Sequence, residues 1–185
     1  MLSPSTKSAS GSARPPSKWR LKRTLKRAID YRPIEDEDVK YAWAAYKQGG
    51  LAALNFATDL SPDDFKALFE QTIVSKCHAA WTLFGNTKRG FIPVGIVLAA
   101  WAPSAPYLIV LDIDWMPWAS HRNIIECSVG FFNGARKDFA FVGYALPEHK
   151  RMYEVCAMHG VMRRVGTSYV AIPGHHCAVF ETRPI

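Results

Sequence analysis

No stretch of this chain comes near the roughly 18 consecutive apolar residues that a membrane-spanning helix requires. The best candidate, Ile92–Trp101, is about half that length. Cysteine is sparse and scattered. Cys77, Cys127, Cys156 and Cys177 form no Cys-x-x-Cys pair, so a disulfide framework and a zinc ribbon are both excluded. The four thiols read as buried and free, as in a protein made in a reducing compartment. Cys177 with His175 and His176 has no further partners at ligand spacing, so no metal is expected. Acidic residues are missing altogether from residues 1–27, and that segment lacks the apolar run of a secretory signal.

Apolar and aromatic residues are plentiful. A hydrophobic fraction of 49%, with six Trp and ten Phe, suffices for one sizeable core, and 185 residues suit one domain plus an extension. Eight Lys or Arg lie in residues 1–27, while the remainder is close to neutral, so the net charge of +7 belongs to an N-terminal arm. Residues 1–17, rich in Ser, Pro and Ala, are not expected to fold alone. Residues 18–29 place Leu21, Leu25 and Ile29 on one helical face, with Lys18, Arg20, Lys22, Arg23, Lys26 and Arg27 around the rest. Such an amphipathic segment can dock in a groove on another protein, lie on an anionic surface or track phosphates. A solvated tail and a targeting peptide are the plainer alternatives. The expected division is an arm over residues 1–29 and a folded domain over 30–185.

Periodicity gives the domain an α+β reading. Helices are predicted over about 36–48, 62–76, 120–136 and 147–159. Strands are predicted at Tyr107–Trp115, Phe139–Leu146, Val165–Ile172 and Cys177–Glu181, and the element order of a known family that the chain resembles adds Tyr31–Ile34, Ala79–Phe84 and Phe91–Ala100. The most informative stretch is residues 107–126. A buried strand breaks at Pro117, and Ser120 then caps a helix, placing unpaired backbone N–H groups at the strand's carboxyl end, where an anion is favoured.

This element order resembles the GNAT acyltransferase superfamily. The resemblance rests on Tyr31-Arg-Pro-Ile34 followed by Glu35-Asp-Glu-Asp38, on the central strand Tyr107–Trp115, on Met152-Tyr-Glu-Val-Cys-Ala-Met-His-Gly160 and on Ala178-Val-Phe180. It covers residues 28–183. The block from Trp115 to Glu181 further resembles divergent GNAT-like proteins of short-tailed bacteriophages. The resemblance implies a mixed, twisted sheet of six to seven strands flanked by about four helices, with the fourth strand central.

It also implies where chemistry would sit. Active members bind acyl-coenzyme A where the fourth strand meets the following helix, on a glycine-rich loop whose N–H groups approach the pyrophosphate. The matching stretch here, Met116-Pro-Trp-Ala-Ser-His121, has no glycine, and Pro117 has no N–H to give. Ser120, His121, Arg122 and Asn123, on the helix's first turn, are the candidate pyrophosphate site. The family's general acid, a tyrosine four residues before the helix-ending glycine, falls on Cys156, and Tyr153 lies about 4.5 Å further along the axis at 1.5 Å per residue. Both are candidates. Asp112 and Asp114, on one face of the fourth strand with Leu111, Ile113 and Trp115 on the other, are the candidate general base. Two close carboxylates in a half-buried place would raise one pKa toward neutrality.

Three departures (no glycine loop, no tyrosine at the expected step, a proline in the loop) lead to the sequence's first expectation. It is a catalytically degenerate adaptor in a bacteriophage virion, a structural or assembly protein made in the host cytoplasm. The arm would dock on tail, portal or connector proteins in a symmetric assembly, and no cofactor is expected. The alternatives are an active acyl-coenzyme-A-dependent N-acyltransferase using acetyl-coenzyme A, and a DNA-associated virion protein whose arm meets packaged DNA.

Overall fold

The computed structural model describes residues 30–51, 59–103, 105–147, 150–169, 171 and 174–182. The expected arm, with its apolar triad and its cations, lies outside them. The described chain forms seven strands, β1 Asp30–Pro33, β2 Ala79–Thr87, β3 Gly90–Trp101, β4 Leu108–Trp115, β5 Phe141–Ala145, β6 Met162–Ser168 and β7 Cys177–Thr182. Four helices accompany them: α1 Val39–Tyr46, α2 Pro62–Lys76, α3 His121–Ala135 and α4 Lys150–Met158. All seven strands join one sheet in the order β1-β2-β3-β4-β5-β7-β6, so β4 is central, as the resemblance implied. Every pairing is antiparallel except β4 with β5.

Local chemistry sets the helix boundaries. Ser61 Oγ accepts the Asp64 N–H, with Pro62 at the first helical position and Asp63 and Asp64 in the first turn of α2. Ser120 does the same for α3 by accepting the Asn123 N–H. α4 ends where Gly160 takes φ +71°, a left-handed turn that costs glycine nothing, and Val161 N–H reaches back to the Cys156 carbonyl.

The helix expected over 36–48 is broken at its start. Asp36–Asp38 form a tight 3-10 turn, and α1 begins only at Val39. Asp38 is the cause: it is 2% exposed, and its carboxylate accepts both Arg32 amino groups at 2.8 and 3.0 Å, Thr82 Oγ1 at 2.8 Å and the Glu35 N–H at 3.0 Å. A buried charge saturated this way clamps the turn to β1 and β2, whereas a free acidic first turn would simply have continued the helix. β6 also starts three residues before its expected beginning, because buried Met162 enters the sheet directly after the Gly160 turn.

Helices cover the two faces of the sheet unequally. α3 and α4 pack on one face through Cys127, Phe131, Phe132, Tyr153 and Cys156 against Trp81, Leu83, Val97, Val110, Phe141 and Phe180. α1 and α2 pack on the other through Ala42, Ala45, Phe65 and Phe69 against Ile96 and Leu98. That second cluster holds no residue of β5, β6 or β7.

Candidate active site

β4 and β5 stay together for three residues only. Leu108 pairs with Phe141, Ile109 with Val142 and Val110 with Gly143; beyond that, β4 runs on to Trp115 without β5 beside it. The sheet therefore forks at its centre. A bulge marks the place, because Val110 stands opposite Ala99 while Asp112 stands opposite Leu98, leaving Leu111 as the extra residue, 47% exposed.

That bulge decides where two carboxylates point. Leu108 and Val110 face α3 and α4. Strict alternation would send Asp112 and Asp114 after them into an aromatic core. The extra residue shifts the phase, so Ile113 and Trp115 continue the core face. Asp112 and Asp114 instead share the opposite face with their cross-strand partners Leu98 and Ile96. Sequence alternation correctly put the two aspartates together, with Ile113 and Trp115 opposite; Leu111 does not join that second set. Both Oδ2 atoms are buried, and Asp112 Oδ1 accepts the Ile113 N–H at 2.8 Å.

Across the fork lies Tyr153. Its ring stacks on Phe180 with centroids 5.4 Å apart and lies flat over β5 at Gly143, where a Cβ would stand only 2.9 Å from the phenol oxygen. Only glycine admits this approach. Burial, then the neighbouring Cys156 and then the charge of Asp112, pushes the Tyr153 hydroxyl well above its ordinary value, which places Tyr153 and Asp112 within electrostatic reach of one another. Cys156, the residue at the family's tyrosine step, has no exposed surface, and burial pushes its thiol up to about 12. The structure thus brings Asp112 within electrostatic reach of Tyr153, sets Asp114 on the same face of β4 as Asp112, and leaves Cys156 in the core. Gly143 escaped the sequence reading, although a lone glycine inside the apolar run Phe139–Leu146 is the signal that marks such close packing.

The first turn of α3 is divided between structure and availability. Ser120 and Asn123 are locked in a reciprocal cap, in which Ser120 N–H donates to Asn123 Oδ1 at 3.0 Å while Asn123 N–H donates to Ser120 Oγ at 3.1 Å. Asn123 Nδ2 donates in turn to the Asn86 carbonyl at 3.0 Å, tying the helix to β2. Those two side chains are spent on architecture. His121 and Arg122 are exposed, Arg122 pairing with Glu126 at 2.8 Å, and their amides lie outside the cap exchange. The preceding loop is held by Trp118, whose indole N–H donates to the Pro93 carbonyl at 2.7 Å, with the Arg89 guanidinium 6.0 Å above its ring. Trp118 and Trp115 thus pack against the core, whereas Trp101 stays 46% exposed. Among the described residues no helix is long and apolar enough to cross a membrane.

No family model and no curated protein matches the sequence. Solved structures do match the fold. One is a histone acetyltransferase HPA2 and related acetyltransferase from Corynebacterium glutamicum, with 13% identity and a TM-score of 0.55 over 85% of this chain and 97% of that one. Another is a spermidine N-acetyltransferase chimera from Vibrio cholerae and hSSAT, with 12% identity and a TM-score of 0.54 over 83% and 94%. A third is the ribosomal-protein-S18-alanine N-acetyltransferase of Escherichia coli, with 9% identity and a TM-score of 0.52 over 84% and 93%. The fold is that of the GNAT acetyltransferases. These neighbours are acetyltransferases rather than virion components, and this overturns the expectation of a bacteriophage structural adaptor. The phage resemblance of the Trp115–Glu181 block gains no support from them.

Proposed function

We propose that this chain is an acyl-coenzyme-A-dependent N-acyltransferase. The observation that carries the reading is the fork between β4 and β5, with carboxylates on one side of it and a protonated phenol on the other. The residues present fit the donor in two respects. Beyond Val110 the β5 side of β4 is not paired with β5, so an extended molecule bearing amides can complete the ladder there, as the pantetheine arm of coenzyme A would. The start of α3, with the amides of His121 and Arg122 and the Arg122 guanidinium, suits its pyrophosphate, although the loop before it lacks glycine. Acyl-coenzyme A, when bound, supplies a thioester carbonyl for an amine to attack and a sulfur that leaves.

The chain's own residues move the protons. Asp112 or Asp114, facing the side away from α3, takes a proton from the acceptor ammonium. Tyr153 remains protonated throughout the neutral range because burial raises its hydroxyl, so it can donate to the departing sulfur. Cys156 is protonated as well but has no exposed surface from which to give a proton.

The testing experiment is thermal. Acetyl-coenzyme A at ~1 mM, if bound with a Kd of ~10 μM, stabilises the fold by about 2.7 kcal/mol. For a domain of this size that is a melting shift of roughly 5–10 °C. Arg122→Ala should reduce the shift. No shift, together with no thiol release on adding primary amines, would sink the acyltransferase reading.

A further inference from the structure

The loop that leads from β4 into α3 has no glycine of its own; the glycines lie on the surfaces against which this stretch packs. A Cβ at Gly95 would stand 2.7 Å from the Trp115 ring, one at Gly50 2.8 Å from the Pro117 ring, and one at Gly85 2.9 Å from Asn123 Nδ2. Two successive residues of β3 add hydrogen bonds: the Val94 carbonyl accepts the Met116 N–H at 2.9 Å, and the Pro93 carbonyl accepts the Trp118 indole N–H at 2.7 Å. The entry to α3 is therefore shaped largely by the β2–β3 hairpin. The tip of that hairpin is itself fixed. Thr87 Oγ1 accepts the Arg89 N–H and donates to the Gly90 carbonyl, both at 3.0 Å, and Gly90 turns the chain at φ +106°. Asn86 gives its carbonyl to the Asn123 side chain on the first turn of α3, and Arg89 holds its guanidinium over Trp118, three residues before His121. Two bridges thus hold the tip alongside that turn.

Positive charge is unevenly available there. Arg122 is committed to Glu126 at 2.8 Å, and Ser120 and Asn123 are spent on their reciprocal cap. Arg89 is exposed, and among the described residues no carboxylate pairs with it. A guanidinium held over an indole keeps its N–H donors, and their planar fork matches the oxygens of a phosphate. We propose that the β2–β3 hairpin is a second wall of the donor site, and that Arg89, seated on Trp118, binds a phosphate group of coenzyme A. Side-chain charge from a neighbouring hairpin then does what glycine-rich loop amides would otherwise do. The proposal rests on the acyl-transfer reading for its ligand, and binding tests it without turnover.

The full chain is titrated calorimetrically, at low ionic strength, with coenzyme A and with 3′-dephospho-coenzyme A. Arg89→Gln, at an exposed position outside the core, should weaken coenzyme A about tenfold, the usual cost of one charge-assisted hydrogen bond. Arg89→Lys, which keeps the charge without the fork, should recover part of that loss. Lys40→Gln on α1, which removes a cation likewise stacked on a ring (Tyr41, at 5.1 Å), should bind like the parent. If Arg89→Gln weakens both ligands equally, the partner is the pyrophosphate; if it weakens coenzyme A alone, the partner is the 3′-phosphate; either result supports the hairpin wall. An Arg89→Gln variant that binds coenzyme A like the parent, or a Lys40→Gln variant weakened as much as Arg89→Gln, overturns it. A parent protein that binds neither ligand sinks the acyl-transfer reading, and the hairpin's part in it as well.

Discussion

The sheet has two halves that are finished differently. From β1 to β4 it is antiparallel and packed on both faces, and the buried carboxylate of Asp38 is saturated by Arg32, Thr82 and the Glu35 amide. From β5 to β7 it is packed on one face by α3 and α4, and the described residues place no helix on the other. The halves join through three parallel residue pairs. At the join, β4 outruns β5, a bulge swings two carboxylates away from the core, and a glycine lets a phenol lie against the strand. Chemistry can gather there because the packed half holds the geometry while the join leaves it open.

The sharpest way to break this comparison is to remove one oxygen at the join. Tyr153→Phe keeps the ring on Phe180 and Phe132 but deletes the proposed proton donor. Loss of a general acid costs roughly 10²- to 10⁴-fold in kcat, with KM and melting temperature close to the parent's. Cys156→Ala should leave kcat within a few-fold, since that thiol has no exposed surface. The opposite ranking would move the acid to the position at which the GNAT resemblance places it.

In the packed half the corresponding change affects stability instead. Asp38→Ala leaves the Arg32 guanidinium, whose side chain is 19% exposed, without its main counter-charge and leaves Thr82 Oγ1 without its acceptor. Removing one partner of a buried ion pair costs about 3 kcal/mol or more. Denaturant midpoints should fall accordingly, while kcat per folded molecule stays near the parent value. A loss of kcat matching that of Tyr153→Phe would show that the two halves are not separable.

How far the sequence reaches follows the same division. Elements announced by local chemistry lie where they were expected. Ser61-Pro62 opens α2, Ser120 opens α3, Gly160 closes α4, and the long apolar run of β4 lies at the sheet's centre. Features that depend on a neighbouring strand were hidden. The bulge at Leu111 exists only against β3, and an unbroken run of strand-forming residues carries no trace of it. The Asp38 clamp depends on Thr82, 44 residues away. Ser120 and Asn123 looked like ligand contacts because a cap and an anion site use the same residue types. The virion reading fails on different ground: it takes the missing glycine loop and tyrosine step as marks of a structural role, whereas the solved structures that share the fold are acetyltransferases.

Alkaline pH offers the finest test, because the buried thiols of Cys127 and Cys156 lie against different halves. Cys127 on α3 faces β2 and donates to the Phe84 carbonyl at 3.6 Å; Cys156 on α4 lies beneath Tyr153 and β5. Burial pushes both from an ordinary 9.0 up to about 12, with a smaller push from Glu126 at Cys127. The folded state then holds these protons more tightly than the unfolded chain, so the unfolded state binds fewer of them above pH 9. Stability is therefore full below pH 9 and falls as pH rises from 9 toward 12, and Tyr153 adds a further decline above its ordinary 10.0. Denaturant melts between pH 8 and 11 should show this slope, and Cys127→Ala and Cys156→Ala should each flatten it. If the halves differ in rigidity as their packing implies, parent protein should lose acyl transfer on the alkaline limb before it loses secondary structure, because the join relaxes first. Activity and far-ultraviolet circular dichroism that fall together, with slopes unchanged in both variants, would mean that the two halves open as one.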